Sequence, residues 1–76
     1  MAPLNIHKKV LGEEHPSTAT SYNNLAGLYR VQGEYDKAEL LFEKALDIRE
    51  GVLGKEHFDT LISYNNLAEL YELQKK

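Results

Sequence analysis

Apolar residues recur every three or four positions along most of the chain. Between 18 and 32, Ala19, Tyr22, Leu25, Ala26 and Tyr29 fall on one side of a 3.6-residue period, which predicts an amphipathic helix there. Ser17 precedes it as a candidate N-cap, with a hydroxyl suited to an orphan backbone N–H. Pro16 opposes extension of the helix backwards, and Gly33 follows where a left-handed residue ends a helix at little cost. Between 35 and 53 the same period carries Tyr35, Ala38, Leu41, Phe42, Ala45, Leu46, Ile48 and Val52, predicting a second helix that Gly54 stops. Gly51 lies inside it, at a cost of roughly 1 kcal/mol relative to Ala. A third helix is expected over 60–74, with Asp59 as N-cap, and a short one over 3–11. Gly12–Pro16 and Gly54–Phe58 read as the linkers.

The chain repeats itself. A displacement of 42 residues lays 1–34 over 43–76 without a gap, and 17 of the 34 pairs are identical. Val10-Leu11-Gly12 returns as Val52-Leu53-Gly54, Glu14-His15 as Glu56-His57, and Leu28-Tyr29 as Leu70-Tyr71. The longest match carries Ser21-Tyr22-Asn23-Asn24-Leu25-Ala26 onto Ser63-Tyr64-Asn65-Asn66-Leu67-Ala68. One structural unit is therefore used twice. In this register 18–53 is one complete unit, 3–11 is the end of a second-type helix, and 60–74 is the first-type helix of the next unit. The helix over 60–74, with Tyr64, Leu67, Leu70 and Tyr71, is then expected to lack part of its cover. So is the segment 3–11, with Leu4, Ile6, Val10 and Leu11. The two deficits are complementary. They predict a homo-oligomer formed head to tail, by domain swapping, or by two-fold pairing of the final helices.

Composition narrows the function. Nine Lys and Arg against 12 Asp and Glu give a net charge of −3, without the basic footprint of a nucleic-acid binder. The apolar runs are far too short to span a membrane, and the opening residues have no apolar signal-peptide region. The chain has no cysteine, so it has no disulfide framework, thiolate zinc site or cysteine nucleophile. A soluble, reducing, cytoplasmic setting is expected. A domain of 76 residues is marginal without such staples.

Tyr22-x2-Leu25-Ala26-x2-Tyr29 followed by Ala38-x3-Phe42-x2-Ala45 resembles the tetratricopeptide signature, and Gly33-x-Tyr35 is similar to that family's inter-helix turn. Small Ala26 and Ala38 suit close approach of paired helices, with Tyr29 and Phe42 filling the space around them. The resemblance covers nearly the whole chain and implies an all-α fold: a fragment of a solenoid of helical hairpins wound as a right-handed superhelix. The 42-residue period exceeds the family's common 34, and Glu50 stands where many such repeats carry a helix-ending proline. The long second helix and the Val-Leu-Gly-x-Glu-His linker resemble the kinesin-light-chain type of repeat.

The candidate chemistry is sparse. His15 and His57 share one repeat position, each in a linker, too far apart for one metal ion. His7 has Leu11, not a ligand, four residues on. Linker packing is the reading preferred for His15 and His57. The tyrosines recur with the repeat and read as core with hydroxyls at the rim. Glu13, Glu14, Glu56 and Asp59 lie in or beside linkers, and Ser17, Thr18, Thr20 and Ser21 cluster at a helix start where capping accounts for them. No catalytic, cofactor or metal site is expected, and no enzyme.

Asn23-Asn24 and Asn65-Asn66 stand apart, because asparagine is a poor helix former. In the family that the chain resembles, the first helix of each repeat lines a concave groove. By position, the resemblance places Thr20, Asn23, Gly27 and Arg30, and then Ile62, Asn65, Glu69 and Glu72, along that groove. A side-chain amide offers donors and an acceptor suited to an extended peptide, so the implied partner is a protein or peptide segment. Both asparagine pairs also admit a structural reading. Asn24 and Asn66, about 100° further round, are read as bonding the preceding linker or a neighbouring helix. Members that clamp a chaperone's terminal carboxylate carry Lys at the places of Asn23 and Asn65 and Asn or Arg at those of Gly27 and Glu69, so that partner is not expected.

Overall fold

A computed structural model describes residues 15–75. They form three helices, α1 (Pro16–Val31), α2 (Tyr35–Leu53) and α3 (Phe58–Lys75), with no strand among the described residues. The fold is an all-α helical repeat fragment. The helix expected over 3–11, with Leu4, Ile6, Val10 and Leu11, lies outside the described residues.

Each first-type helix starts two residues earlier than the sequence reading placed it. His15 is extended, and its Nδ1 accepts from the Ser17 amide at 3.0 Å. Its carbonyl accepts from Thr18 and Ala19 at 2.9 and 3.2 Å. Pro16 is then the first helical residue, where its missing N–H costs nothing. The arrangement recurs 42 residues on: His57 Nδ1 accepts from the Asp59 amide at 3.0 Å, and its carbonyl from Leu61 at 3.0 Å. Ser17 and Asp59 are therefore not the N-caps. An imidazole nitrogen reaches the same orphan N–H that a Ser or Asp oxygen takes, and the histidines precede them in the chain.

The helix ends follow the glycines. Gly33 has φ 84°. Its N–H donates to the Arg30 carbonyl at 3.0 Å, and the Glu34 N–H reaches back to Tyr29 at 2.9 Å, a Schellman turn. Gly54 ends α2 with φ 96°. Thr60 Oγ1 donates to the Gly54 carbonyl at 2.7 Å, tying the first turn of α3 to the end of α2. Gly51 does not interrupt α2, which runs to Leu53.

The long second helix packs along both others. Ala26, Ala38, Phe42, Leu67 and Leu70 form one buried cluster, ringed by Tyr29, Tyr35, Leu41 and Leu46. Ala19, Ala45 and Ile48 form another beneath Tyr22. Phe42 of α2 thus shares a cluster with Ala26 of α1 and with Leu67 and Leu70 of α3, and burying a side chain of that size stabilises by roughly 1.5–3 kcal/mol. Two positions of the expected apolar faces are not core. Leu25 on α1 is 42% exposed, and Val52 in the last turn of α2 is 46% exposed. A periodic pattern marks every face that a repeat buries, including faces turned to something other than its own hairpin partner.

The contact between α2 and α3 is partly polar. Arg49 is 7% exposed, and Thr60 and Ser63 are fully buried. Arg49 Nη1 donates to Ser63 Oγ at 2.9 Å and to the Asp59 carbonyl at 3.1 Å. The guanidinium thus satisfies both a buried hydroxyl and one of the first carbonyls of α3.

Candidate functional site

A hydrogen bond between asparagines links α1 and α3, which both pack on α2. Asn66 Nδ2 donates to Asn23 Oδ1 at 3.1 Å. Asn66 therefore bonds the neighbouring first-type helix, one of the two partners expected for it, while Asn24 is exposed. The same bond engages the acceptor of Asn23 and leaves its amide donors for other use. Asn65 is exposed on α3, one position back from Asn66.

The two rows of residues proposed from sequence run along these helices. On α1, Thr20 is exposed and Asn23, Gly27 and Arg30 are half-buried. On α3, Ile62, Asn65, Glu69 and Glu72 are all exposed. Thr20 Oγ1 donates to the Pro16 carbonyl at 3.2 Å, the back-bond that a helical threonine commonly makes. The α1 row is uncharged except for Arg30, and the α3 row carries two carboxylates.

The opposite edge of α3 runs along acidic residues of α2. Gln74 Nε2 lies 3.3 Å from Glu39 Oε1 and 3.5 Å from Asp36 Oδ1. The Tyr64 hydroxyl donates to Glu50 Oε2. That hydrogen bond, then burial and the Glu50 charge, hold the Tyr64 phenol above its ordinary range. Burial, then the charges of Glu39 and Glu43, do the same for Tyr71.

The surface expected for self-association is redrawn by burial. Leu67 is 7% exposed and Leu70 is not exposed at all, because both lie in the core around Phe42. They are not open surface: α2 already covers the side of α3 that carries them. Tyr64 and Tyr71 are exposed, with Leu61, Ile62 and Leu73. The sequence reading did not single out Leu25 and Leu28 for this role, although both are exposed on α1. Leu25 lines a shallow apolar depression of about 250 Å³ with Tyr29, Lys37, Leu40 and Leu41. The signal for it was present: Leu25 and Leu28 repeat as Leu67 and Leu70, so they belong to a face the repeat normally covers.

The histidines have a structural task, each with Nδ1 turned to a helix amide. No group of three or more His, Cys, Asp or Glu side chains able to hold a metal ion occurs among the described residues. What the α1 and α3 rows offer chemically is hydrogen bonding and charge on an open surface.

The tetratricopeptide-repeat family matches residues 4–51 and, in a second overlapping window, 22–76. The two windows together span nearly the whole sequence, and the chain belongs to the tetratricopeptide-repeat family. Repeats of this family are in general protein–protein interaction modules. A search of curated proteins finds no match to the chain. Among the described residues no helix is long and apolar enough to cross a membrane.

Proposed function

We propose that the chain is a non-enzymatic scaffold that holds a peptide or partner segment along the surface shared by α1 and α3. The residues are Thr20, Asn23, Gly27 and Arg30 on one side and Ile62, Asn65, Glu69 and Glu72 on the other. The observation that carries this reading is the Asn66–Asn23 hydrogen bond, which sets the two rows on neighbouring helices. Asn65 is the better candidate to hold peptide backbone, since the acceptor of Asn23 is already engaged. The reading includes a complete repeat over 18–53, a partial second-type helix over 3–11 and a first-type helix over 60–74. It also includes the 42-residue kinesin-light-chain type of repeat, supported by the ungapped period and the Gly-x-Glu-His linkers. No cofactor, nucleic acid or membrane enters it, and a cytoplasmic setting suits a cysteine-free chain.

The test is a displayed-peptide screen followed by titration of a selected peptide. Asn65→Ala should weaken binding by roughly 1–3 kcal/mol, the range for hydrogen bonds left unmade, and leave the melting curve in place. Asn23→Ala should lower stability, because Asn66 loses its acceptor. Unchanged affinity in Asn65→Ala and in Glu69→Lys would place the peptide elsewhere.

A second reading is self-association of the repeat fragment, as a head-to-tail or swapped oligomer. It is favoured by the exposure of Tyr64 and Tyr71 on α3, since their repeat equivalents Tyr22 and Tyr29 pack on α2. Leu4, Ile6, Val10 and Leu11 are the residues proposed to meet that surface from another copy. Sedimentation across a concentration series separates this reading from a monomeric binding module.

A further inference from the structure

One side of α3 stays outside the core along its length. Phe58, Ile62, Asn65, Glu69 and Glu72 are all exposed, Phe58 at 72%. At about 100° per residue they fall roughly 120–180° round the helix from the side that buries Thr60, Ser63, Leu67 and Leu70. Their images in the repeat are Pro16, Thr20, Asn23, Gly27 and Arg30 on α1, and none of these enters either buried cluster. α1 is packed by the helix that follows it and α3 by the helix that precedes it. Neither neighbour takes this side into the core, so its exposure is a property of the repeat unit itself.

The row on α3 changes character along its length: apolar at Phe58 and Ile62, an amide at Asn65, carboxylates at Glu69 and Glu72. Neither glutamate forms an ion pair with a described residue. Three apart on a helix, they are neighbours on its surface, so one cation reaches both. The wall facing them on α1 is glycine. Lys37 lies over Tyr29 and Lys44 over Tyr22, so α1 runs against α2. Arg49 meets Ser63 and Gln74 meets Asp36, so α3 does the same. The two first-type helices are therefore parallel. One turn on from the Asn23–Asn66 bond, Gly27 stands level with Leu70, between the two carboxylates. A Cβ added at Gly27 meets no atom within 4 Å. Packing within the described residues does not call for glycine there, and glycine weakens a helix interior. It leaves room beside the carboxylates for a long side chain.

We propose that the segment held along α3 is an extended peptide carrying a bulky apolar residue and, about three to five positions away, a lysine or arginine. The inference rests on the groove reading above and gives its partner a chemistry. Phe58 and Ile62 take the apolar side chain, Asn65 bonds the backbone between, and Glu69 and Glu72 share the cation above Gly27. The spacing follows from the helix. Ile62 and Phe58 lie about 10 and 16 Å before Glu69, at about 1.5 Å per residue. An extended chain covers those distances in about three to five residues, at roughly 3.3 Å each. Charge sets the preference: an acidic residue at the cation's place would meet two like charges.

The test is a random displayed-peptide library panned on wild type and, in parallel, on the charge-reversed Glu69→Lys/Glu72→Lys protein. Asp47→Lys/Glu56→Lys, changed at two other exposed carboxylates, has the same net charge and is the control. Wild type and control should both recover peptides with Lys or Arg at the stated distance from an apolar residue, and the charge-reversed protein should recover Asp or Glu there. Replacing the basic residue of a recovered peptide by Gln should weaken binding to wild type about tenfold, and change binding to Glu69→Gln/Glu72→Gln little. Phe58→Ser should weaken the same peptide and leave the melting curve in place. Peptides without basic enrichment, or the same peptides from wild type and the charge-reversed protein, overturn this partner; if they still lose affinity in Asn65→Ala, the groove reading stands without it. No peptide that binds below about 1 mM overturns both.

Discussion

Arg49 reaches from α2 to Ser63 of α3, its Nη1 2.9 Å from the serine Oγ, and both side chains are all but closed to solvent. The same nitrogen donates to the Asp59 carbonyl. One guanidinium therefore fixes the start of α3 against the end of α2, and among the described residues no carboxylate pairs with it.

Arg49→Ala should lower stability by about 2–4 kcal/mol. It removes charge-assisted hydrogen bonds, leaves the buried Ser63 hydroxyl without its donor, and strips the packing of the side-chain stem. Ser63→Ala should cost about 1 kcal/mol. The double variant, measured by urea denaturation, should cost less than the two losses added together; strict additivity would show that the two residues act independently.

His57→Ala should cost about 1 kcal/mol, the usual loss when a helix loses its N-cap acceptor. His57→Asp should restore that loss, because a carboxylate reaches the same amide and favours the helix N-terminus. Thermal melts of the three proteins decide the matter. Equal melting temperatures would mean that the imidazole contributes nothing there.

Gly51→Ala should stabilise the protein by about 0.5–1 kcal/mol. The residue is helical, and an added Cβ meets no atom within 4 Å, so the gain is that of Ala over Gly in a helix. Gly33→Ala should do the opposite by about 1–2 kcal/mol, since φ is +84° there and a Cβ is strained in the left-handed region. A loss of stability in Gly51→Ala would contradict the open space around it.

At alkaline pH the protein should lose stability. Tyr64 is raised by its hydrogen bond to Glu50 and then by burial, and Tyr71 by burial and then by Glu39 and Glu43. A raised value means that the folded state holds the phenol proton more tightly than the unfolded chain does. The contribution is complete below pH about 10, the ordinary tyrosine value, and disappears as pH climbs through the folded-state value. Tyr64→Phe should flatten the fall above about pH 10. An identical slope in wild type and variant would exclude Tyr64 as a source.

The periodicity and the 42-residue repeat placed every described helix to within two residues: 18–32 against Pro16–Val31, 35–53 against Tyr35–Leu53, and 60–74 against Phe58–Lys75. The errors at the starts have one cause. Ser17 and Asp59 are the habitual capping types, and the recurrence of Glu-His ahead of each helix was the available sign that His fills the role. The environment of the repeated residues was less legible. Asn23 and Asn65 are the same residue in the same register, yet one is bonded and the other is open. Leu25 and Leu67 differ in the same way. A repeat dictates what each face is made of. Whether that face is covered depends on which unit stands next to it, and the residue itself carries no record of this.

The way α2 packs along both neighbours has a consequence for how the chain comes together. The large apolar contacts join helices consecutive in sequence, so closing each of them ties off only a short loop and loses little chain entropy. Such low contact order favours rapid folding. Stability in this connectivity accumulates unit by unit from neighbour to neighbour. The interior of α2, held from two sides, is the part of the described chain on which both other helices rest.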